Sequence, residues 1–448
     1  MRWELGVRHG IGLRATPTFH RRGLARRSKA EYETEIMKFL FVHEYLGAQG
    51  GAETDLRLTA EAMSQRGHTT GLMYEQSSGR NEAGWRKGFS KCYQIAARDQ
   101  ARSAAAVLEE FEPDLIYYYS LQNANALARL LDSGLPVVRR VQDHALYCMR
   151  GYKYNYFTRA ICTRPASAHC VFPCLAFLGR NRAGRFPFKW VSYGAKRREL
   201  AQSQRCRRLI VYSQYQKEEL VRNGFDPEKI FLHVPLNFQG AQGPRSSLSN
   251  RNLIVYAGQI IRGKGVDLLL RALAKVRVRF ECVILGAGND LAHCKGLCAR
   301  LGLGDRVQFL GFVPAEELRA YYLEASVAVM SSVWPEPFGM AGPEAMLYGV
   351  PVVAFDAGGI REWLLDGENG YLAPWMDTGR FAEHVEELLL DKELAHRMGD
   401  RARELTVSHY DPERQFNYLE SLFLSVCQEA QIKIDENSSI TVTHELCR

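Results

Sequence analysis

Glu336-Pro337-Phe338-Gly339-Met340-Ala341-Gly342-Pro343-Glu344 sets two carboxylates just beyond a short apolar run at 326–332, the kind of segment that fills a parallel sheet. In such sheets ligands bind outside the carboxyl ends of the strands. Pro335, Pro337, Gly339 and Gly342 break the backbone between the acids, whereas Pro343 suits the first position of a helix. Glu336 is therefore expected on a loop and Glu344 in the first turn of a new helix. Free amides and the positive dipole end there favour an ionised carboxylate or a bound anion. A loop acid followed by an ordinary dipole-compensating Glu gives the same pattern, so the pair alone leaves both readings open.

Outward from this stretch, apolar strands alternate with helical stretches, which predicts an α/β protein built of two doubly wound units. Strands are expected at 39–43, 115–118, 137–141, 209–212 and 230–233 in the first unit. The second unit has them at 253–257, 281–285, 307–310, 327–331 and 352–355. The polar, Gly- and Ser-bearing stretch 239–252 reads as the linker, which places the first unit at 37–238 and the second at 253–408. Residues 1–36 carry eight basic against four acidic side chains and no apolar segment of the secretory type. Met37 stands directly before the first strand, so an over-extended start or an Arg-rich targeting peptide are the two readings of this extension.

The acid pair continues as Ala345-Met346-Leu347-Tyr348-Gly349-Val350-Pro351-Val352-Val353-Ala354 and then Gly358-Gly359-Ile360-Arg361-Glu362. This pattern of an acid, seven residues and a second acid resembles the retaining glycosyltransferases of family 4, and the resemblance runs from Lys38 to about Leu424. It implies a GT-B architecture, with two Rossmann-like domains facing a cleft, and a nucleotide diphosphate sugar as donor. A saccharide or lipid-linked acceptor on the first domain and no required cofactor are implied as well. It also implies a helix at 409–428 crossing back to the first domain, with 429–448 as a flexible tail. The departure from the family pattern is Pro343, where many members carry an apolar residue.

The resemblance assigns roles residue by residue. Glu336 would act at the reacting sugar, and Glu344 at the ribose, beside Phe338, Gly339 and Met340. Gly50 and Gly51, in the loop before the first helix, would approach the diphosphate through amide donors. Gly258-Gln259-Ile260-Ile261-Arg262-Gly263-Lys264-Gly265 leads into the helix after the first strand of the second unit. Two cations between glycines can clamp a diphosphate there, Arg as a planar fork and Lys as a point charge. Lys264 keeps the family position. Gln259 stands where the family has a cation, which leaves Arg262 as the substitute candidate. Gly286 and Val313 would border the nucleotide base. Leu291 stands where a dinucleotide fingerprint needs its third glycine, which disfavours a nicotinamide enzyme. His144, after the strand at 137–141, would reach the donor sugar, with Asp143 as its orienting neighbour.

Composition bounds what remains. The 448 residues are 46% hydrophobic and 24% charged, with a net charge of +8, ordinary for a globular protein long enough for two cores. Acidic partners such as nucleotide diphosphates or anionic lipid fit that charge, and no zinc-finger spacing or basic helix argues for nucleic acid. Eleven cysteines without a secretory signal suggest reduced thiols and a cytoplasmic protein, peripheral at most to the inner membrane face. Cys148, Cys162, Cys170 and Cys174 fall within one loop-rich segment. Four thiolates suit zinc, yet the spacing lacks a paired C-x2-C, so structural thiols remain the alternative, with His169 a further candidate ligand. Between 177 and 208, ten cations are opposed only by Glu199 and interleaved with aromatic residues. Trp190, Lys196, Arg197 and Arg198 thus form a candidate surface for acceptor or anionic membrane. A nucleotide-sugar epimerase or hydrolase of the same fold, or a non-catalytic nucleotide-sugar-binding protein, are the rival functions.

Overall fold

A computed structural model describes residues 36–47, 50–95, 99–121, 124–180, 188–235, 244–248 and 251–445. The 1–35 part of the expected extension lies outside them. Strands β1 (Lys38–Leu46), β2 (Thr69–Ser77), β3 (Lys91–Gln94), β4 (Leu115–Tyr118) and β5 (Val137–Arg140) belong to the first sheet. A small antiparallel pair follows, β6 (Leu178–Arg180) and β7 (Phe188–Trp190), before β8 (Arg208–Val211) and β9 (Ile230–Leu232) complete that sheet. The second sheet contains β10 (Leu253–Ala257), β11 (Glu281–Leu285), β12 (Val307–Gly311), β13 (Val327–Met330), β14 (Val352–Phe355) and β15 (Gly370–Ala373).

The first sheet runs β3-β2-β1-β4-β5-β8-β9 and the second β12-β11-β10-β13-β14-β15, with every pairing within them parallel. Strand order reverses between β1 and β4 in one sheet and between β10 and β13 in the other. These reversals open a crevice at the strand ends and fix where each sheet can hold a ligand. The central strands are short and apolar on both faces: every residue of β4, β13 and β14 is buried. That pattern made them legible as sheet cores.

The strands outside that reading, β2, β3 and β15, carry polar or glycine residues at their ends. Gly71 in β2 lies where a Cβ would come within 2.8 Å of the Phe111 ring, so packing against a helix, and no apolar period, specifies it. The last helix, Pro412–Glu445, lays Leu419, Leu422, Phe423 and Val426 into one cluster with Phe39, Phe41 and Tyr117 of the first sheet. It runs on through the region read as a flexible tail, where Glu429 bonds Arg208 at 2.5 Å and meets Arg207 at 3.4 Å. Among the described residues no helix is long and apolar enough to cross a membrane.

Candidate active site at the strand ends

The two strands that flank the reversal in the second sheet deliver the two motifs to one place. After β10 the chain makes a single 3-10 turn, Arg262–Lys264. That turn is stitched to the loop after β13: the amides of Val333 and Trp334 donate to the Gly263 carbonyl at 2.9 and 3.1 Å, and Ser331 Oγ donates to the Lys264 carbonyl at 2.9 Å. Lys264 Nζ therefore lies 2.7 Å from Glu336 Oε1. Ser332 Oγ donates to the same oxygen.

Glu336 is only 3% exposed. Burial alone would raise its pKa, but the charge and hydrogen bond of Lys264, with Ser332 adding to them, hold it below the usual carboxylate range. The acid is thus ionised beside its cation, and its backbone is locked as well. Its amide donates to Ala357 at 3.1 Å and its carbonyl accepts from Gly359 at 2.7 Å. Gly358 permits this close approach with φ of 69°, for a Cβ there would stand 2.6 Å from the Glu336 carbonyl oxygen.

Glu344 sits in the first turn of the helix Ala341–Leu347. Its half-buried carboxyl has no side-chain partner among the described residues, and burial pushes its pKa up to about 7. Two acids of one motif thus differ in protonation: one is held charged by lysine, the other is near balance at neutral pH.

The first sheet contributes His144, which is 1% exposed. Its Nε2 lies 2.6 Å from the Pro335 carbonyl oxygen and its Nδ1 lies 2.7 Å from Tyr147 Oη. A carbonyl can only accept, so Nε2 carries the proton and Nδ1 accepts from the tyrosine. Burial lowers the His144 pKa to about 4, which keeps the ring neutral at physiological pH. Asp143 does not orient it. That carboxylate accepts from the Ala145 amide at 2.7 Å, an Asx-type bond closing its own turn, and Tyr147 and Pro335 position the ring instead.

Several other expected residues take different surroundings. Arg262 leans away from Glu336: its Nε donates to the Tyr156 carbonyl at 3.0 Å and its guanidinium stands 5.2 Å from the Tyr156 ring centre. Phe338 faces the core, 2% exposed and edge-on to Tyr410 at 5.7 Å, so its ring is not presented to a ligand. Gly339 and Met340 lead from it into the Glu344 helix, Gly339 with φ of 88°. Gly50 and Gly51 open the exposed start of the helix Gly51–Gln65. At Gly286 a Cβ would lie 1.8 Å from the Gly258 carbonyl oxygen, so these two glycines let the ends of β10 and β11 touch. Val313 is half-buried beside the exposed Phe312.

The basic stretch is less one-sided than its sequence suggests. Lys196 is tied to Glu199 at 2.6 Å and to the Ala145 carbonyl, Arg205 to Asp132 at 2.6 Å, and Arg208 to Glu429. Arg197 and Arg198 remain exposed, as does Trp190 at 75%, stacked at a tilt on Phe177 at 5.0 Å. Lys196 therefore belongs to the fold and not to a docking surface.

Sequence reading missed the part played by the segment between His144 and Ala176. Tyr154 and Trp334 flank Gly263, and a buried ion pair joins Arg159 to Asp267 at 2.8 Å. A second such pair joins Lys153 to Glu219 at 2.8 Å. This irregular segment is thus pinned to the first sheet's helix Gln214–Arg222 and to the second sheet's helix Val266–Leu273. The missed pairs join residues 66 and 108 positions apart, and no local period signals that. Cys148, Cys162, Cys170, Cys174 and His169 line one cavity of about 190 Å³ within it. Burial chiefly pushes the Cys170 thiol up, and charge on Cys148, Cys174 or Cys162 would push it further.

Comparison with known proteins agrees with this geometry. Residues 49–232 match the family model described as Glycosyltransferase Family 4, and residues 242–405 the one described as Glycosyl transferases group 1. Two parallel α/β sheets with their motifs at the strand ends define the GT-B class. The chain belongs to the group 1, family 4 glycosyltransferases within it. The Anabaena HepE structure in complex with UDP and glucose superposes with a TM-score of 0.66 at 20% identity, covering 87% of this chain and all (100%) of that one. A D-inositol 3-phosphate glycosyltransferase of Streptomyces bingchenggensis is 33% identical over 218 residues, 44% of this chain and 48% of that protein. A GDP-mannose-dependent alpha-(1-6)-phosphatidylinositol monomannoside mannosyltransferase of Mycolicibacterium smegmatis is 32% identical over 175 residues, 37% and 46% of the two. The chain spans about half the length of these curated relatives.

Proposed function

We propose that the protein transfers a sugar, with retention of anomeric configuration, from a nucleotide diphosphate sugar to a saccharide or lipid-linked acceptor. The observation that carries this reading is the Lys264–Glu336 pair at the strand-order reversal of the second sheet, met from the first sheet by His144. A diphosphate entering the β10 loop gives Lys264 a second anion to bridge, and charge building on the departing phosphate is stabilised by that ammonium. Glu336 stays ionised beside the sugar. The bond from the anomeric carbon to the phosphate oxygen breaks, the acceptor oxygen bonds to that carbon on the same face, and its proton passes to the departing phosphate. Positioning then contributes most of the acceleration. His144 reaches the sugar by exchanging its Pro335 bond for a sugar hydroxyl, and Glu344, near balance at neutral pH, is suited to a ribose hydroxyl.

A lipid-linked acceptor at the cytoplasmic membrane face is supported by the apolar side chains around the β6–β7 pair. Phe172 and Trp190 are 77% and 75% exposed, and Leu175 and Leu178 are exposed too. Leu178 and Trp190 are cross-strand partners, a wedge of rings and aliphatics on the same domain as Arg197 and Arg198. The two curated relatives described above carry D-inositol 3-phosphate and phosphatidylinositol monomannoside in their names, which agrees with an anionic acceptor.

Release of nucleoside diphosphate from a panel of nucleotide sugars, followed with and without acceptor lipid extracts, tests the proposal. A transferase releases it faster when acceptor is present. Acceptor-independent release would assign a hydrolase, isomerised donor without release an epimerase, and donor binding without turnover a binding protein.

A further inference from the structure

Among the described residues no group of three or more His, Cys, Asp or Glu could hold a metal ion, the thiol-lined cavity included. One side chain outside that cavity, by contrast, stands against every group of the proposed reaction. Trp334 lies in the loop after β13, and its backbone amide is one of the two that fasten this loop to the Gly263 carbonyl. Its indole is half-buried. Lys264 Nζ stands 5.2 Å from the ring centre, within the reach of a cation–π contact. The His144 ring meets the indole edge-on at 6.4 Å, and the Tyr152 ring lies 6.4 Å away at a tilt of 36°. Trp334 Cγ is also 3.4 Å from where a Cβ on Gly263 would stand, so the indole lies directly on the diphosphate loop.

The same indole faces the other half of the ion pair. Burial raises the Glu336 pKa, Lys264 does most to lower it, and Ser332 and then the Trp334 N–H lower it further. That buried N–H closes no hydrogen bond of full geometry among the described residues, and an indole nitrogen can only donate. One ring thus offers its face to the ammonium and its N–H to the carboxylate. The lysine stem is flexible, and a diphosphate at the β10 loop competes with Glu336 for its head. Each shift of Nζ toward phosphate takes positive charge from a buried carboxylate that stays ionised in the reaction.

We propose that Trp334 is a positioning residue that lets Lys264 be shared between Glu336 and the donor diphosphate. Its ring face keeps the ammonium in the space between the two anions, and its N–H closes on the Glu336 carboxylate as the lysine shifts away. No proton is transferred and no covalent bond changes in this step, since Trp334 acts through its two neighbours. The proposal rests on the reading of Lys264 as the cation that meets the diphosphate.

The test uses the full chain and four variants of it: Trp334→Leu, Trp334→Phe, Lys264→Ala, and Lys264→Ala combined with Trp334→Leu. Each is titrated calorimetrically with UDP and with GDP. Trp334→Leu should weaken diphosphate binding by about 3- to 30-fold, the span of a cation–π contact. Trp334→Phe keeps a ring face and should recover most of that affinity. Lacking the N–H, it should still lower kcat by about 10-fold or more, a split between binding and turnover. In the Lys264→Ala chain the leucine change should cost no further affinity, because no ammonium is left for the ring to hold. If Trp334→Leu fails to fold, the split seen with Trp334→Phe decides. Diphosphate binding that Trp334→Leu leaves unchanged, or weakens equally with and without Lys264, overturns the proposal while Lys264 keeps its place. Lys264→Ala binding diphosphate as tightly as the parent overturns both.

Discussion

Two kinds of loop meet at the site, and they are built in opposite ways. The loops after β10 and β13 are held by backbone on backbone: the Gly263 carbonyl accepts two amides, and Gly286 lets β10 and β11 touch where any Cβ would collide with the Gly258 carbonyl. The segment 144–176 is held to the helices of the two sheets by side chains, through Arg159–Asp267 and Lys153–Glu219. Backbone stitching demands glycine at fixed places and leaves a mark in the sequence. Side-chain stitching demands only that two distant residues be complementary. The first kind makes a rigid anion cradle, and the second a clasp whose position depends on every one of its pins.

The strongest way to break the comparison is to remove one pin. Asp267→Ala leaves Arg159 charged, buried and alone, and should cost about 3–5 kcal/mol. The double change of Arg159→Met with Asp267→Leu should recover most of it, as urea melts of the three variants will show. If the single variant is as stable as the parent, the clasp is not pinned there. At the cradle, Glu336→Gln should leave the fold intact and cut turnover ~100-fold, about 2.7 kcal/mol of transition-state stabilisation. Unchanged kinetics would remove Glu336 from the reaction.

Gly286→Ala sharpens the contrast from the backbone side. It adds one carbon, yet should cost about 1–3 kcal/mol and weaken donor binding, since the β10 loop must move. A calorimetric titration with nucleoside diphosphate reads the second effect. If donor affinity is preserved, the glycine contact is not what shapes the cradle.

A smaller effect comes from pH. Burial raises the Glu344 pKa from 4.5 to about 7, so the native state holds its proton while the unfolded chain releases it. Its contribution to stability is present below 4.5 and lost as pH rises toward 7. His144 works in the other direction: its pKa falls from 6.5 to about 4, so its contribution is present above 6.5 and lost as pH falls toward 4. Glu344→Gln should therefore remove a downward slope of stability between these limits, and His144→Asn an upward one. Solvent reaches Glu344, so its share is the weaker of the two. The smallest effect is that of Trp190→Ala, which should change stability by less than about 0.5 kcal/mol. It should still reduce binding to anionic vesicles at low salt, and equal binding by both proteins would leave the apolar wedge without a membrane role.

How much of this was legible follows the same division. The central strands could be read because four or five consecutive apolar residues have few other uses. Glu336, Glu344 and Lys264 could be placed because proline and glycine punctuate the backbone around them. The strands β2, β3 and β15, at or next to a sheet edge, could not, since their partners supply the burial that their own composition does not. Arg262 looked like a second phosphate cation because adjacency to Lys264 says nothing about Tyr156, 106 residues away. Phe338 looked like a ligand contact because sequence does not tell which face of a turn meets the core. The balance of charge at 196–208 was misread for the same reason, as Asp132 and Glu429 answer it from outside the stretch.

The helix Pro412–Glu445 has a consequence for how the chain is made. Its Leu419, Leu422, Phe423 and Val426 complete a core begun by Phe39 and Phe41, and His68 waits for Glu420, 352 residues later, to bond its Nε2. On the ribosome, the first sheet therefore emerges early and stays uncovered on that face until residues 419–426 have been translated. A message cut short anywhere before this helix yields a chain with a greasy, open surface that chaperones and proteases recognise.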